Sequence, residues 1–411
     1  MKQLNRIVQG SIRIGGMSIP TINLIWFATA LAIAAIRVSG GRGGMNNYLL
    51  FEGIIRHLAN KQNIFWDFWW EYDDANHYGP SFSIVIAPFA ILHPLVGCFL
   101  WCLANAAILL YAMRRLPLST LQQNIILAFS LVELSTSLSN VQFNPMLSAW
   151  FLLSWVWVQE GRDFRAAMFI ALGFLVKLYG IVGLAFLLFS QNRLRFLLSF
   201  AFWLVVWALA PLLFTTPEFL IQTYYDWYES LQLKHSKNLN LLDTDLSQDI
   251  SAPGLMRRMF GFSNFRDLWM LAPAALLMGI PMLRFLWKPM SMAARYTLLG
   301  LIMVSVVIFS NAAESATYIV AIAGIAVWAF YREQTLPPLH KVLLVLVLMF
   351  SSLSATDLFP AFVRREIIWP YAVKALPVTL CWLLMVWEFW KAAFGKVEKH
   401  SSFNSADPNP S

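Results

Sequence analysis

Charge is what this chain has least of. Only 13% of its 411 residues are Asp, Glu, Lys or Arg, about half the share of a soluble domain, which excludes an ordinary water-solvated surface over most of the length. Cysteine is nearly absent. Cys98, Cys102 and Cys381 fall inside apolar segments, so no disulfide framework or metal spacing is present, and Cys98 and Cys102, four apart, are expected to pack on one helix face. No Gly-x-x-x-x-Gly-Lys phosphate loop occurs, and the basic connections are too short for a nucleotide-binding domain. The chemistry is therefore expected to use neither a cytosolic nucleotide sugar nor ATP. The net charge of +8 sits in short loops, so it signals topology and not a nucleic-acid partner. No internal repeat is apparent, and no small-residue cleavage site follows Ile19–Ile36; that stretch reads as a retained first span.

What remains is apolar: 59% of the residues, with mean hydropathy +0.61. Apolar runs recur nearly end to end, at about 18–38, 81–93, 97–113, 121–139, 144–159, 165–177, 178–190, 196–214, 268–286, 296–311, 317–331, 341–356 and 371–391. Lys2, Arg6 and Arg13 at one end and Lys391, Lys396 and Lys399 at the other place both termini in the cytoplasm. An even number of crossings follows. Ser81–Leu92 is too short for an upright span, so the expectation is an all-α polytopic membrane protein of about twelve crossings. It forms one domain over 1–400 with two large extracytoplasmic loops, 39–80 and 215–265, and a disordered cytoplasmic tail at 401–411.

The polar residues gather at the outer corners. The first loop ends in Asp67, Glu71, Asp73 and Asp74, followed by Asn76-His77-Tyr78-Gly79-Pro80, beside Phe65, Trp66, Trp69 and Trp70. A glycosyl transfer needs a carboxylate to take the proton of the attacking hydroxyl, whereas aromatics at headgroup level need no chemistry. Gln142-Phe143-Asn144-Pro145 suits a helix start, where Asn caps and Pro opens the first turn; Gln142 is surplus to that role. Lys177-Leu178-Tyr179-Gly180 puts a lysine among apolar residues, which demands a cavity, an anion or a surface corner; Glu133 is a candidate partner or a second lining residue of the same cavity. Gln248-Asp249 and Gly254 through Arg257-Arg258 offer guanidinium groups to a lipid phosphate or to headgroups. Glu314-Ser315-Ala316-Thr317-Tyr318 is a polar corner or a plain turn.

Taken in order, these pieces resemble glycosyltransferase family 87, over about residues 20–335. The family's Tyr-Pro-Pro is similar to Tyr78-Gly79-Pro80, followed by Ala87-Pro88 and by Leu100-Trp101 with Asn105. Its Gly-Gln-x-Asn corner resembles Gln142-Phe143-Asn144, and its Lys-x-Tyr-Pro corner Lys177-Leu178-Tyr179-Gly180. Its Asn-Gln-Ser-x-x-Gly-x-x-x-Arg element resembles Ser247-Gln248-Asp249 to Arg257 and Arg258, and its Ser-x-x-His-Tyr corner Ser315-Ala316-Thr317-Tyr318. One departure stands out: Asn47 occupies the place of the family's aspartate, and an amide is no base. The resemblance implies a GT-C membrane fold in a bacterial inner membrane and an extracytoplasmic site. It implies inverting transfer of a hexosyl unit, of mannosyl type, from a polyprenyl-phosphate donor to a lipid or glycan acceptor. Asp74 then replaces the missing base, with Glu71 and Asp73 behind it. Arg257, Arg258 and Lys177 would hold the leaving phosphate; Asn47, Asn76, His77, Tyr78, Gln142, Asn144, Tyr179, Gln248, Asp249, Glu314 and Tyr318 would bind donor or substrate. No metal or cofactor is called for, since the cations stabilise the charge. The competing readings are a transporter or flippase of a lipid-linked or anionic solute, and an inactive scaffold.

Overall fold

The computed structural model describes residues 9–14, 16–239, 248–332 and 335–395; the expected disordered tail, the N-terminal basic residues Lys2 and Arg6, and Ser247 lie outside them. The chain opens on a small antiparallel hairpin, β1 (Ser11–Ile14) and β2 (Met17–Pro20), pairing Ser11 with Pro20 and Ile14 with Met17. The other described elements are helical.

First come α1 (Thr21–Ser39), α2 (Asn46–Ala59), α3 (Phe82–Ala90) and α4 (Pro94–Arg115), then α5 (Thr120–Ser139), α6 (Asn144–Gln159) and α7 (Asp163–Val176). A 3₁₀ run, α8 (Leu178–Phe189), leads to α9 (Arg193–Leu209), α10 (Pro217–Leu239), α11 (Ala252–Arg258) and α12 (Leu268–Arg284). The chain closes with α13 (Met292–Ile308), α14 (Tyr318–Phe330), α15 (Pro338–Leu346) and α16 (Ala375–Phe394).

Among the described residues five helices are long and apolar enough to cross a membrane: α1, α4, α9 extended to Leu213, α15 extended to Ala355, and α16. This is a helical membrane protein. Helix length marks fewer crossings than the twelve expected from hydropathy, because α8, α12, α13 and Ser315–Phe330 have only 10–17 residues. The Ser81–Leu92 run is indeed short, yielding the nine-residue α3 before Pro94 starts a new helix.

Position in the bundle follows from composition. α14 is apolar on every side and is buried from Tyr318 to Ala329, as a helix hydrophobic all round must be. α9 instead leaves Leu194, Leu198, Val205 and Leu209 exposed, a face suited to lipid. Cys98 and Cys102 pack inside on α4, as expected.

Each of the two long "loops" contains an amphipathic helix, which a hydropathy reading misses. α2 buries Tyr48, Phe51, Ile54 and Leu58. α10 buries Leu220, Thr223, Trp227 and Ser230, a stripe at alternating spacings of three and four. Both lie over one end of the bundle. At the other end of α14, Glu388 ties Arg332 (2.7 Å), His340 (2.9 Å) and Trp328 (2.7 Å) together.

Candidate active site

Helices that stop inside an apolar bundle leave polar corners, and here four corners and α10 enclose a cavity. An inner chamber of about 140 Å³ is lined by Asp74, Tyr78, Gln142, Lys177 and Glu314. It opens into a vestibule of about 820 Å³ that shares Asn47, Asp74, His77, Gln142, Lys234 and Glu314 with it. The chain enters α2, α6 and α14 at this wall, so the positive ends of three helix dipoles lie there.

The Asn76–Pro80 segment is shaped by its own side chains. Asn76 Oδ1 accepts from the Tyr78 backbone N–H (2.9 Å) and its Nδ2 donates to the Tyr78 carbonyl (3.1 Å), an Asx turn. Tyr78 then donates its hydroxyl to Gln142 Oε1 (3.0 Å), and burial keeps the phenol's pKa well above its usual value. His77 pairs its Nδ1 with Ser230 Oγ (2.9 Å), and its carbonyl accepts from Trp227 Nε1 (3.0 Å). Burial, then Lys234, Lys237 and Lys177, hold the imidazole's pKa down to about 3. His77 is therefore a neutral imidazole at ordinary pH, one nitrogen donating and the other accepting.

Gly79 and Gly180 serve close approaches. Gly79 donates its N–H to the Val176 carbonyl (3.0 Å), which no proline can do, and a Cβ there would lie 2.0 Å from the Leu175 carbonyl oxygen. A Cβ on Gly180 would lie 2.1 Å from the Phe174 nitrogen. The two corners pack against each other and set Lys177 between them.

Lys177 Nζ donates to Asn144 Oδ1 (3.2 Å) and lies 4.9 Å from the centre of the Tyr78 ring and 5.9 Å from that of Tyr179. Among the described residues no carboxylate pairs with it; Glu133 is held by Lys374 instead, at 2.8 Å. Burial lowers the Lys177 pKa to about 8, with Glu314 opposing and Lys234 adding to the shift. A cation solvated by one amide and two ring faces retains the capacity to bind an anion. Asn144 does not cap α6; its Nδ2 donates to the Ala316 carbonyl (3.1 Å). Gln142 is presented by Val141, a β-branched residue at φ 51°, a costly conformation for its type, whose carbonyl is pinned by Trp101 Nε1 (3.1 Å).

The family model for glycosyltransferase family 87 matches residues 76–313, more than half of the chain. The chain belongs to glycosyltransferase family 87. The match is shorter than the span of the motif resemblance: it starts at Asn76 and stops before Glu314, so Asn47, Asp74 and the 314–318 corner fall outside it. No curated protein matches the chain significantly.

For a membrane glycosyltransferase of family 87, the placement of carboxylates matters most, and it divides the expected residues. Asp74 is exposed, lines both chambers, and accepts from the Ala75 N–H (2.8 Å). Asp73 lines only the vestibule. Glu71 reaches neither, because Arg56 (2.6 Å) and His57 (3.1 Å) hold it. Asn47 lines both chambers and donates to the Asn140 carbonyl (2.7 Å). Glu314 lines both and accepts from Gln248 Nε2 (2.7 Å). Tyr179 lines the inner chamber, its hydroxyl on Ser310.

Arg257, Arg258, Asp249 and Tyr318 stand behind the wall. The Arg257 guanidinium is occupied by Asp249 (2.7 and 3.0 Å), Asp267 (2.6 Å) and the Phe265 carbonyl (3.0 Å). Arg258 donates to the carbonyls of Gln248, Trp369 and Pro370, and Tyr318 to that of Ile250 (2.8 Å). The arginines expected at the phosphate are thus bound to protein. Lys234 and Lys237 of α10 line the vestibule instead. Their signal was available: they continue the Leu220-Thr223-Trp227-Ser230 spacing into the cavity.

Proposed function

We propose that this family 87 enzyme has the GT-C architecture and transfers a hexosyl unit, of mannosyl type, from a polyprenyl monophosphate to a lipid or glycan acceptor. The reaction takes place at the extracytoplasmic face of a bacterial inner membrane. The observation that carries the reading is Lys177, a cation without a carboxylate partner among the described residues, in one chamber with Asp74. The acceptor hydroxyl gives its proton to Asp74 while its oxygen bonds to the sugar C1. The C1–O bond to phosphate breaks on the opposite face, and its electron pair leaves on the phosphate. Attack opposite the leaving group inverts C1. Lys177 and Lys234 take up the phosphate's charge, so the step is written without a metal. Tyr78, Gln142, Asn47 and Glu314 offer hydrogen bonds to sugar hydroxyls. Among its described lining residues the vestibule has six carboxylates against two lysines, with the exposed ring of Trp66. That lining suits an uncharged, polyhydroxylic acceptor better than an anionic one.

A transporter would also account for ionisable groups at Lys177 and Glu133, but Glu133 is paired with Lys374 (2.8 Å) and does not face Lys177's chamber. The test is release of polyprenyl phosphate by purified protein given a panel of polyprenyl-phosphate sugars and membrane lipid. Asp74→Asn is expected to cut turnover at least about 100-fold with normal expression. Full turnover in that variant puts the base elsewhere; no donor consumed by the wild type favours transport or a scaffold.

A further inference from the structure

Among the described residues Lys374 is a deeply buried lysine, and the reaction does not use it. It sits at the turn before α16, outside the family match, where Ala372 at φ 49° reverses the chain. Its Nζ donates to Glu133 Oε1 on α5 (2.8 Å), to Ser315 Oγ (2.9 Å) and to the Ser315 carbonyl (3.3 Å). It also lies 4.7 Å from the centre of the Tyr318 ring. The side chains of Lys374 and Glu133 are 3% and 0% exposed.

Stability does not account for such a pair. Replacing a buried ion pair by well-packed apolar groups is commonly neutral or stabilising, and ionisable groups inside membrane bundles mark function by default. What the pair grips is informative. Ser315 follows Glu314, whose carboxylate faces both chambers. The next carbonyl, of Ala316, accepts from Asn144 Nδ2, and Asn144 Oδ1 takes the Lys177 ammonium. One continuous polar chain therefore runs from Glu133 through Lys374, the 315–316 backbone and Asn144 to Lys177. Lys374 itself lines neither chamber.

We infer that Lys374 is a positioning residue of the glycosyl-transfer site, holding the 314–316 corner and, through Asn144, setting Lys177 relative to Glu314. The inference rests on the function proposed above for that chamber. It also assigns the C-terminal helices a part in the site that the matched region alone does not contain.

The test uses the full-length protein, with Lys374→Met/Glu133→Met removing both charges. The double variant is expected to unfold no earlier than wild type, yet to lose about 10- to 100-fold in kcat, the scale of a misplaced catalytic group. Its KM for the donor should shift less than its kcat. The alkaline limb of its kcat/KM profile should also move, since Lys177 changes surroundings. A stable double variant with wild-type kcat and pH profile overturns the proposal. Farnesyl phosphate titration keeps this separate from the proposed activity. Even if the wild type consumes no sugar donor, a Kd raised about tenfold in the double variant supports positioning and an unchanged Kd overturns it. Should the double variant not fold, Ser315→Ala severs one contact of Lys374 and leaves the ion pair intact. About a threefold or greater loss in kcat or farnesyl phosphate affinity then supports the inference, and no loss overturns it.

Discussion

Arg257 is buried behind the cavity wall and Lys177 is half-buried in the wall itself, and their surroundings differ in one decisive respect. Arg257 has two carboxylates and a carbonyl on its guanidinium; Lys177 has an amide and two ring faces. A buried cation neutralised by its own protein is a clamp. Here it ties the Gln248–Asp249 turn to α11 and to Asp267. A half-buried cation with no carboxylate paired to it among the described residues can take its counter-charge from a ligand. Chemical type alone favours the opposite assignment, because arginine is the better bidentate phosphate binder. Counting partners reverses it.

The sharpest way to break this comparison is to remove each cation in turn. Arg257→Met leaves Asp249 buried without its ion partner and is expected to cost roughly 3–5 kcal/mol, seen as loss of folded protein or a lower Tm. Lys177→Met should leave Tm unchanged or raised while turnover falls roughly 10²–10³-fold. If Lys177→Met unfolds the protein and Arg257→Met merely slows it, the roles are exchanged.

A finer probe is pH. With its pKa lowered to about 8, Lys177 is charged below that value and loses its proton above it, so kcat/KM should fall as pH rises through about 8. Arginine stays protonated throughout, so Lys177→Arg should abolish this limb, at reduced activity. Stability runs the other way. Between about 8 and the unperturbed 10.5 the unfolded chain binds the extra proton, so this group's contribution to stability rises with pH.

The smallest effect is expected at Glu71. Because Arg56 and His57 hold it outside the cavity, Glu71→Gln should leave turnover within about twofold of wild type. A loss as large as that of Asp74→Asn would return Glu71 to the reaction.

Much of the molecule was legible beforehand. The all-helical membrane class followed from hydropathy, and the only strands among the described residues are the Ser11–Ile14 and Met17–Pro20 hairpin. The corners at Tyr78, Gln142, Lys177 and Glu314 were picked out by polarity among apolar neighbours, and the structure gathers all four into one chamber. The acidic patch was legible only as a patch. Asp74 enters the chamber and Glu71 does not, because His57, a turn from the end of α2, takes Glu71. Lys374 does not stand out in the sequence, where it falls inside the 371–391 run, because its contacts with Glu133 and Ser315 lie 241 and 59 positions away.

The sequence by itself determined the membrane class, the family and the residue types available at each corner. These depend on hydropathy and on short-range spacing, which a linear chain carries openly. Only the tertiary structure decided which carboxylate meets which cation: Glu133 with Lys374, Asp249 with Arg257, and none among the described residues with Lys177. Pairing is a matter of a few ångströms between corners that are far apart in the chain. Whether a buried charge is a clamp or a binding site depends on that distance.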